Sequence, residues 1–251
     1  MKHISLYMIT KNEEKRIEKT LSAAIHVVDE IIIVDSGSTD KTIEIGKRYG
    51  AKIYHRDWTS YADQKHFAQN KCQYDWLLSL DADEVLSPEL IQEIKKLKET
   101  EPHFKAYNLR IASMYPGMKY HRWTHTYCII RLYNKRYATI KPDLLTEDRI
   151  STFKSIPIGV LKEPVFHYSV LNISQHVHKI NQYTNDIQQT ITKHKKTYSI
   201  LRLIFEIPFQ FIRYYLLRRL FIHGIWGFIS AVNISYSHFL KIAKTIEREK
   251  L

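Results

Sequence analysis

Three acidic side chains follow one strongly apolar stretch of the sequence. The segment WLLSL, residues 76–80, runs directly into Asp81, Asp83 and Glu84. Like charges this close repel one another, so either water or a cation must relieve the repulsion. Carboxylate oxygens bind Mg²⁺ and Mn²⁺ well, and magnesium commonly takes one or two carboxylates together with substrate phosphates. The spacing of Asp81 and Asp83 is therefore compatible with a metal site, and also with a solvated turn.

Another acid, Asp35, ends a second apolar stretch. It closes EIIIVD, residues 30–35, and the small residues SGST follow it. Glycine lets a ligand come close to the backbone, and a carboxylate can accept a hydrogen bond from a ring N–H of a nucleotide base. A turn or cap residue is the alternative for Asp35, and capping of the next helix is the favoured interpretation for Asp40.

The elements that position these acids alternate between strand and helix. Apolar runs over residues 3–9, 30–35, 51–55 and 75–80 predict strands, and the segments between them have helical periodicity. This order predicts a mostly parallel sheet with helices on both faces, and ligands bind at the carboxyl ends of such strands. TKNEE, DSGSTD and DADE all lie there. Asn12 in the first of these motifs is also a candidate N-cap for the first helix.

The C-terminal part has a different character. Residues 199–232 combine aromatic and aliphatic side chains with arginines, and Pro208 and Gly224 predict a division into two or three helices. Basic residues within such an apolar segment suit a helix that lies in the membrane interface, with arginine stems reaching toward water. A helix that covers the core, or an oligomer interface, is the alternative. The arginines are Arg202, Arg213, Arg218 and Arg219.

Composition restricts the partners and the compartment. The chain has 251 residues and a net charge of +12, which suits an anionic partner such as a membrane, a phosphorylated substrate or nucleic acid. Two cysteines, Cys72 and Cys128, make no disulfide framework. The N-terminus has no signal-peptide pattern, and no apolar run approaches the ~18 residues of a spanning helix. We therefore expect a cytoplasmic protein.

The three acidic motifs, taken in order, resemble those of family 2 glycosyltransferases, which adopt the GT-A fold. They are TKNEE (residues 10–14), VDSGSTD (34–40) and LDADE (80–84). Residues 58–90 and 223–244 are more narrowly similar to the lipopolysaccharide inner-core β-glycosyltransferase branch. The likeness is close over residues 3–95, patchy to residue 170, and returns in the C-terminal helices.

The resemblance implies a division of the chain. We expect an α/β GT-A domain, with a Rossmann-like, mostly parallel sheet flanked by helices, over residues 1–170. Residues 1–100 would form its nucleotide-binding half and residues 101–170 its acceptor-binding half. Residues 171–251 would form a helical extension that associates with the membrane.

The resemblance also implies roles for individual residues on the donor side. The metal ligands would be Asp83, Asp81 and His167, with Mg²⁺ or Mn²⁺ as the cofactor. For His167 the alternative is a purely structural histidine, and for Lys65 a solvated lysine. The nucleotide-binding residues would be Thr10, Asn12, Glu13, Asp35, Gln64, Lys65 and Asp81.

On the acceptor side, an inverting transfer needs a general base for the acceptor hydroxyl. Glu147 and Asp148 are the candidates, and Glu147 is favoured. Related proteins tend to have Val-His-Glu here, whereas this chain has Leu-Thr-Glu at residues 145–147. We interpret the stretch around Arg122 and Trp123, together with Arg131, as an acceptor-side surface on which a sugar could stack on Trp123.

These features together predict an inverting, metal-dependent hexosyltransferase. It would move a sugar from a nucleotide-diphosphate donor, a UDP-sugar, to a lipid-linked acceptor such as the lipopolysaccharide core oligosaccharide. We expect it to act as a peripheral protein on the anionic inner face of the cytoplasmic membrane, without a nucleic-acid partner. Transfer to polyprenyl phosphate is the alternative within enzymes, and a basic nucleic-acid-binding module is the alternative outside them. The oligomeric state is left open.

Overall fold

The computed structural model describes residues 1–141, 149–191, 198 and 200–250. The chain divides into two compact units. The first unit comprises Met1–Ala112 and Thr126–His167, and the second comprises Ser113–His125 and Tyr168–Leu251. Residues 113–125, which we expected in the acceptor-binding half of the first domain, thus group with the C-terminal helices.

The first unit alternates strands and helices in its N-terminal half and then becomes rich in strands. Its helices are α1 (Ile17–Ala24), α2 (Thr42–Arg48), α3 (Tyr61–Lys71) and α4 (Pro88–Glu99). Its strands are β1 (Ile4–Thr10), β2 (Glu30–Asp35), β3 (Lys52–His55), β4 (Trp76–Ser79), β5 (Glu84–Leu86), β6 (Ala106–Ser113), β7 (Thr126–Asn134), β8 (Ala138–Ile140), β9 (Ile150–Thr152) and β10 (Gly159–His167).

Eight of these strands form one sheet in the order β3-β2-β1-β4-β7-β6-β10-β5. Strands β3, β2, β1 and β4 are parallel, whereas β7 pairs antiparallel with both β4 and β6. The register places Thr10 opposite Asp35, so the ends of β1 and β2 meet at one edge. The predicted α/β class is confirmed, with an antiparallel extension that begins at β7.

Burial on both faces explains why the parallel strands are apolar along their whole length. All six residues of β2 are buried. Ile31 and Ile33 pack into one hydrophobic cluster, and Ile32 and Val34 into the other, on the opposite face. A strand covered by helices on both faces requires apolar side chains at successive positions, not only at alternate ones.

The second unit is helical. It contains α5 (Ile173–Ile191), α6 (Ile200–Ile212), a π-helical turn (Arg213–Leu217), a short 3₁₀ segment (Leu220–His223) and α7 (Gly224–Lys250). Pro208 lies inside α6 and does not end it, contrary to our expectation, although a proline removes one backbone donor and crowds the preceding turn of the helix. Gly224, at φ +57°, does separate two segments, as predicted. Over the described residues, no helix has the length and apolarity that a membrane span requires.

Candidate active site

Asp35 and Thr10 meet where β1 and β2 end, and Asp35 is held by four hydrogen bonds. Its Oδ1 accepts from the backbone N–H groups of Gly37 and Ser38, at 3.0 and 2.7 Å. Its Oδ2 accepts from the hydroxyls of Thr10 and Ser38, at 2.8 and 2.5 Å. A carboxylate offers about four lone-pair positions. A base N–H could therefore reach Asp35 only in place of one of these donors.

Asn12 and Glu13 form the loop that follows β1. Asn12 has φ +56°, and its side-chain oxygen accepts a hydrogen bond from the Thr39 N–H at 2.9 Å. The expectation that Asn12 caps the first helix is wrong, because α1 begins only at Ile17 and Asn12 bonds the neighbouring loop. The carboxylate of Glu13 accepts from the guanidinium of Arg16 at 2.6 Å.

Asp81 is enclosed by cations. Its Oδ1 lies 2.6 Å from the ammonium of Lys65, and its Oδ2 lies 3.0 Å from the guanidinium of Arg131. Burial alone would raise the pKa of Asp81, but Lys65 and Arg131 together hold the pKa well below its usual range. Asp81 therefore stays ionised, and both of its oxygens already have a positive partner.

Glu84, the acid without a role in the sequence-based interpretation, supports this cluster. It opens β5 and is 1% exposed. Its Oε1 accepts from Arg131 at 2.6 Å and its Oε2 from the backbone N–H of Asp81 at 3.1 Å. Glu84 thus fixes the turn that carries Asp81 and orients the arginine that pairs with it.

Asp83 points to a different set of partners. Its Oδ1 lies 3.5 Å from Nε2 of His167, and its Oδ2 accepts from Arg16 at 3.3 Å. Burial would raise the pKa of Asp83, but the hydrogen bond and the charge of His167, together with the charge of Arg16, lower the pKa below its usual value. The pKa of His167 is raised. Burial would lower this pKa, but the hydrogen bond and the charge of Asp83, with the charges of Glu84 and Asp81, raise it.

The donor chemistry around Asp83 fits a divalent cation. Ligands at ~2.1 Å from one Mg²⁺ lie at most ~4.2 Å apart, so Asp83 and His167 can reach a common ion, once His167 gives up its proton. Asp81 could join them only by releasing Lys65 or Arg131. Within the described ranges there is no group of three or more His, Cys, Asp or Glu side chains that could hold a metal ion. Such a cation would thus need phosphate or water oxygens as well.

A cavity of about 660 Å³ opens beside the acidic cluster. Asp81, Glu84 and His167 line one part of it, and the side chains of β7 line another. Arg149 and Ile150, which follow the candidate bases in the chain, also line it. Glu147 and Asp148 themselves lie outside the described residues. The cavity is large enough for a small ligand next to the carboxylates.

Two other predicted residues occupy distinct environments. Gln64 is fully buried on α3, and its amide donates to the carbonyl of Asp57 at 2.6 Å. Its Oε1 has no hydrogen-bond partner within the described part of the chain. Trp123 belongs to the second unit, where it is half exposed and Arg122 lies 5.3 Å from its ring.

Arg131 and Arg16 are the residues that sequence reasoning misplaced or missed. Arg131, predicted on an acceptor-side surface, is only 6% exposed, because its guanidinium is bonded to Asp81 and Glu84. Arg16 was not predicted at all, yet it bridges Glu13 and Asp83. Its spacing of three residues from Glu13, at the start of a helix, is the signal that could have indicated the first of these contacts.

Comparisons with known proteins identify the family of this chain. The model for glycosyl transferase family 2 matches residues 5–163. An uncharacterized glycosyltransferase of Rickettsia typhi is 36% identical over 98% of this chain and 88% of its own length. The chain therefore belongs to glycosyl transferase family 2, and its first unit has the α/β fold of GT-A type.

Two weaker similarities extend over almost the whole chain. The lipopolysaccharide core biosynthesis glycosyltransferase LpsC of Rhizobium meliloti is 26% identical over 99% of this chain and 93% of its own length. A crystal structure of S. aureus TarS in complex with UDP-GlcNAc covers 94% of this chain and 90% of its own, at 13% identity and a TM-score of 0.48.

Proposed function

We propose that this glycosyltransferase moves a hexose from a nucleotide-diphosphate donor, a UDP-sugar, to the hydroxyl of a lipid-linked acceptor, with inversion at the anomeric carbon. The observation that carries the proposal is the pairing of Asp83 with His167 beside a cavity at the carboxyl ends of parallel strands. Ligands of open α/β sheets bind at this edge.

On the donor side, the loops after β1 and β2 would hold the nucleoside. Asp35 would accept from the base once a hydroxyl donor such as that of Ser38 turns away. Asn12 and Glu13 would line the same pocket. Gln64, which directly precedes Lys65, has a buried Oε1 without a hydrogen-bond partner among the described residues and could accept a hydrogen bond from the nucleotide. Lys65 would stay paired with Asp81, and Asp81 would face the ribose.

The diphosphate would bind where Asp83, His167 and Arg16 converge. A divalent cation bound there, Mg²⁺ or Mn²⁺, supplies positive charge to the departing diphosphate. Asp83 and His167 are the protein groups that would hold it. Arg16 lies within reach of the same carboxylate and adds a fixed positive charge beside the phosphates.

On the acceptor side, Glu147 or Asp148 would act as the general base. The acceptor hydroxyl oxygen bonds to the anomeric carbon while the bond from that carbon to the diphosphate oxygen breaks. The base takes the hydroxyl proton, and the nucleoside diphosphate leaves with the electron pair of the broken bond. The proposal is supported by Arg149, which follows both acids directly and lines the cavity.

The acceptor is proposed to be a glycolipid, the lipopolysaccharide core oligosaccharide, at the inner face of the cytoplasmic membrane. The similarity to LpsC over 99% of the chain supports a core-oligosaccharide acceptor. Exposed Trp123 with Arg122 offers a stacking surface for a sugar ring and a charge for its phosphate groups.

A thermal-shift panel of nucleotide sugars, with and without Mg²⁺ or Mn²⁺, tests the donor side. We expect one UDP-sugar to raise Tm only when the metal is present, because a ligand that binds the native state alone stabilises it. The Asp83→Ala variant should lose the metal-dependent part of the shift. A panel without any stabilising nucleotide sugar would refute the proposed donor class.

The Glu147→Gln variant tests the acceptor side. A hydroxyl acceptor needs a base, so this variant should lose most of its turnover, whereas a polyprenyl phosphate acceptor is already anionic. Full activity of Glu147→Gln, together with loss of activity in Asp148→Asn, would assign the base to Asp148. Full activity of both variants would favour the phosphate acceptor.

A further inference from the structure

Helix α6 buries polar side chains and exposes apolar ones, which is the reverse of the pattern in helices of water-soluble proteins. Its buried residues are Glu206 and Gln210, which are 6% and 4% exposed. Its large apolar residues are exposed instead: Ile200, Leu201, Ile204, Phe205, Ile207, Phe209 and Ile212. Glutamate and glutamine are among the residue types least often buried in water-soluble proteins, and a contiguous exposed apolar face marks an interaction surface.

The buried polar side chains of α6 are satisfied within the second unit. The amide of Gln210 donates to Oε1 of Glu206 at 2.8 Å, and Nδ1 of His238 on α7 lies 3.8 Å from the same oxygen. The residues that α7 buries are mostly small or polar, among them Ser230, Ala231 and Ser235. Small residues and interhelical hydrogen bonds inside, with large apolar residues outside, are characteristic of helices packed in lipid.

The exposed apolar face continues past α6. Leu216 and Leu217 of the π-helical turn are exposed, and Leu217 is exposed at 76%. Phe221 in the 3₁₀ segment and Ile225 at the start of α7 are exposed as well. We call this surface, from Ile200 to Ile225, the apolar face of the second unit.

The exposed acidic and basic residues within residues 200–236 all carry positive charge. Residues 200–236 contain four arginines and a single acid, Glu206, and that acid is buried. Arg202 and Arg219 are exposed, and Arg218 lies over the ring of Tyr214 at 4.9 Å. An apolar surface surrounded by arginine is complementary to a surface that is apolar inside and anionic at its rim.

We propose that the apolar face of the second unit inserts into the interface of a bilayer that contains anionic lipid. The 13 residues of α6 make a rod of ~20 Å, which is shorter than the ~30 Å hydrocarbon core, so the helix would lie in the membrane plane and not across it. The apolar side chains enter the acyl region, and the arginines contact the headgroup phosphates.

A second copy of the chain fits this face less well. In a twofold dimer the same patch of both copies meets itself. The arginines would then approach one another, and residues 200–236 offer no exposed acid to pair with them. Anionic headgroups remove this repulsion, which is why lipid is the favoured partner.

The test uses the full chain and vesicles of phosphatidylcholine, with and without phosphatidylglycerol, in a sedimentation assay. We expect binding that increases with phosphatidylglycerol and weakens at high salt. The triple variant Leu201→Gln, Phe205→Gln, Phe209→Gln should bind at least about tenfold more weakly, because three large side chains no longer enter the acyl region.

The matched control is Phe153→Gln in the first unit. Phe153 is 59% exposed and Phe205 61%, so the control removes a phenylalanine about as exposed as one of those changed in the triple variant. The control should bind vesicles like the unaltered chain. Because the triple variant could fold poorly, Leu217→Asp is measured alongside it and should also weaken binding. Absence of vesicle binding by the unaltered chain, or wild-type binding by both variants, overturns the proposal.

Two further measurements, nucleotide thermal shifts and the oligomeric state without lipid, separate this inference from its alternatives. It rests on the proposed lipid-linked acceptor for its role in catalysis, so UDP and Mn²⁺ thermal shifts are recorded on the same variants without lipid. Loss of vesicle binding by the triple variant, with an intact nucleotide shift, supports the membrane inference and leaves the proposed function standing. Vesicle binding by an unaltered chain that shows no nucleotide shift refutes the proposed donor alone. The unaltered chain could instead form a dimer without lipid and fail to bind vesicles. If the triple variant is then monomeric, the apolar face is assigned to contact with a second copy and the membrane inference is overturned.

Discussion

The acidic cluster of the first unit and helix α6 of the second both bury charged or polar groups, but they do so in opposite surroundings. Glu84 and Arg131 are buried beside the turn that follows β4, in a unit whose core is aliphatic and aromatic. Glu206 is buried beneath a helix whose outer surface is aliphatic and aromatic. The first arrangement suits a polar ligand in an otherwise apolar fold, and the second suits an apolar surrounding medium.

The comparison also concerns how tightly each polar group is held. Arg131 contacts two carboxylates at 3.0 and 2.6 Å, and Asp81 has Lys65 as a second cation at 2.6 Å. The contacts of Glu206 with Arg202 and His238 are longer, at 3.6 and 3.8 Å. We therefore expect larger effects of substitution in the first unit, and the following predictions test that order.

The largest expected effect is at Asp83. Asp83→Ala should lower turnover at least about 10³-fold, because it removes a carboxylate that would hold the metal at the departing diphosphate. Steady-state kinetics at limiting Mn²⁺ measures this. Asp75→Ala, which removes an acid whose partner is the exposed Arg136, is the control and should keep its activity. Near-normal turnover of Asp83→Ala would contradict a role of the acidic cluster of the first unit in catalysis.

Arg131→Met should destabilise the first unit by ~3–5 kcal/mol, because it leaves the buried carboxylate of Glu84 without its cation. Denaturant unfolding measures the change in the free energy of unfolding. Arg136→Met removes an arginine whose side chain is 72% exposed and should cost below ~1 kcal/mol. Equal costs for the two arginines would contradict a structural role for the buried network.

The same substitution at two leucines tests the inverted burial directly. Leu77→Ala, in β4 and fully buried, should cost ~2–5 kcal/mol through lost burial and a cavity. Leu217→Ala should change the free energy of unfolding in lipid-free buffer by less than ~0.5 kcal/mol, because this side chain is already in water. A large cost at Leu217 would mean that its face is covered by protein.

A smaller effect than at Arg131 or Leu77 is expected at Glu206. Glu206→Ala should cost ~1–3 kcal/mol, because the buried amide of Gln210 loses its acceptor, and Glu206→Gln should cost less because an acceptor oxygen remains. Glu18→Ala, which removes an exposed acid paired with Arg48, is the control. Thermal unfolding of the three variants would contradict the interpretation if Glu206→Gln were the most destabilised.

The order of elements in the first unit could be predicted because its strands are continuous apolar runs between polar turns. Gly50 follows α2 at φ +73°, and Pro88 starts α4, which are the helix ends at which glycine and proline are favoured. The start of α1 could not be predicted, because Asn12 satisfies a neighbouring loop instead of the helix. A local pattern does not reveal which of two nearby backbone segments a side chain will bond.

Parts of the candidate site could be predicted in the same way, since parallel strands bring their carboxyl ends to one edge. Thr10 and Asp35 meet there as expected. The partners that come from distant segments were not predictable. Arg131 reaches Asp81 from a strand 50 residues away, and a basic residue in a strand-like run carries no signal of its partner.

The sequence alone therefore determined the α/β architecture, the family and the three acidic motifs, because strand runs and turn motifs are local. Only the tertiary structure decided that Asp81 is paired with Lys65 and Arg131, that Asp83 faces His167, and that α6 turns its polar side chains inward. These outcomes depend on which side chains meet across the sheet or between helices, and burial is a property of the whole fold.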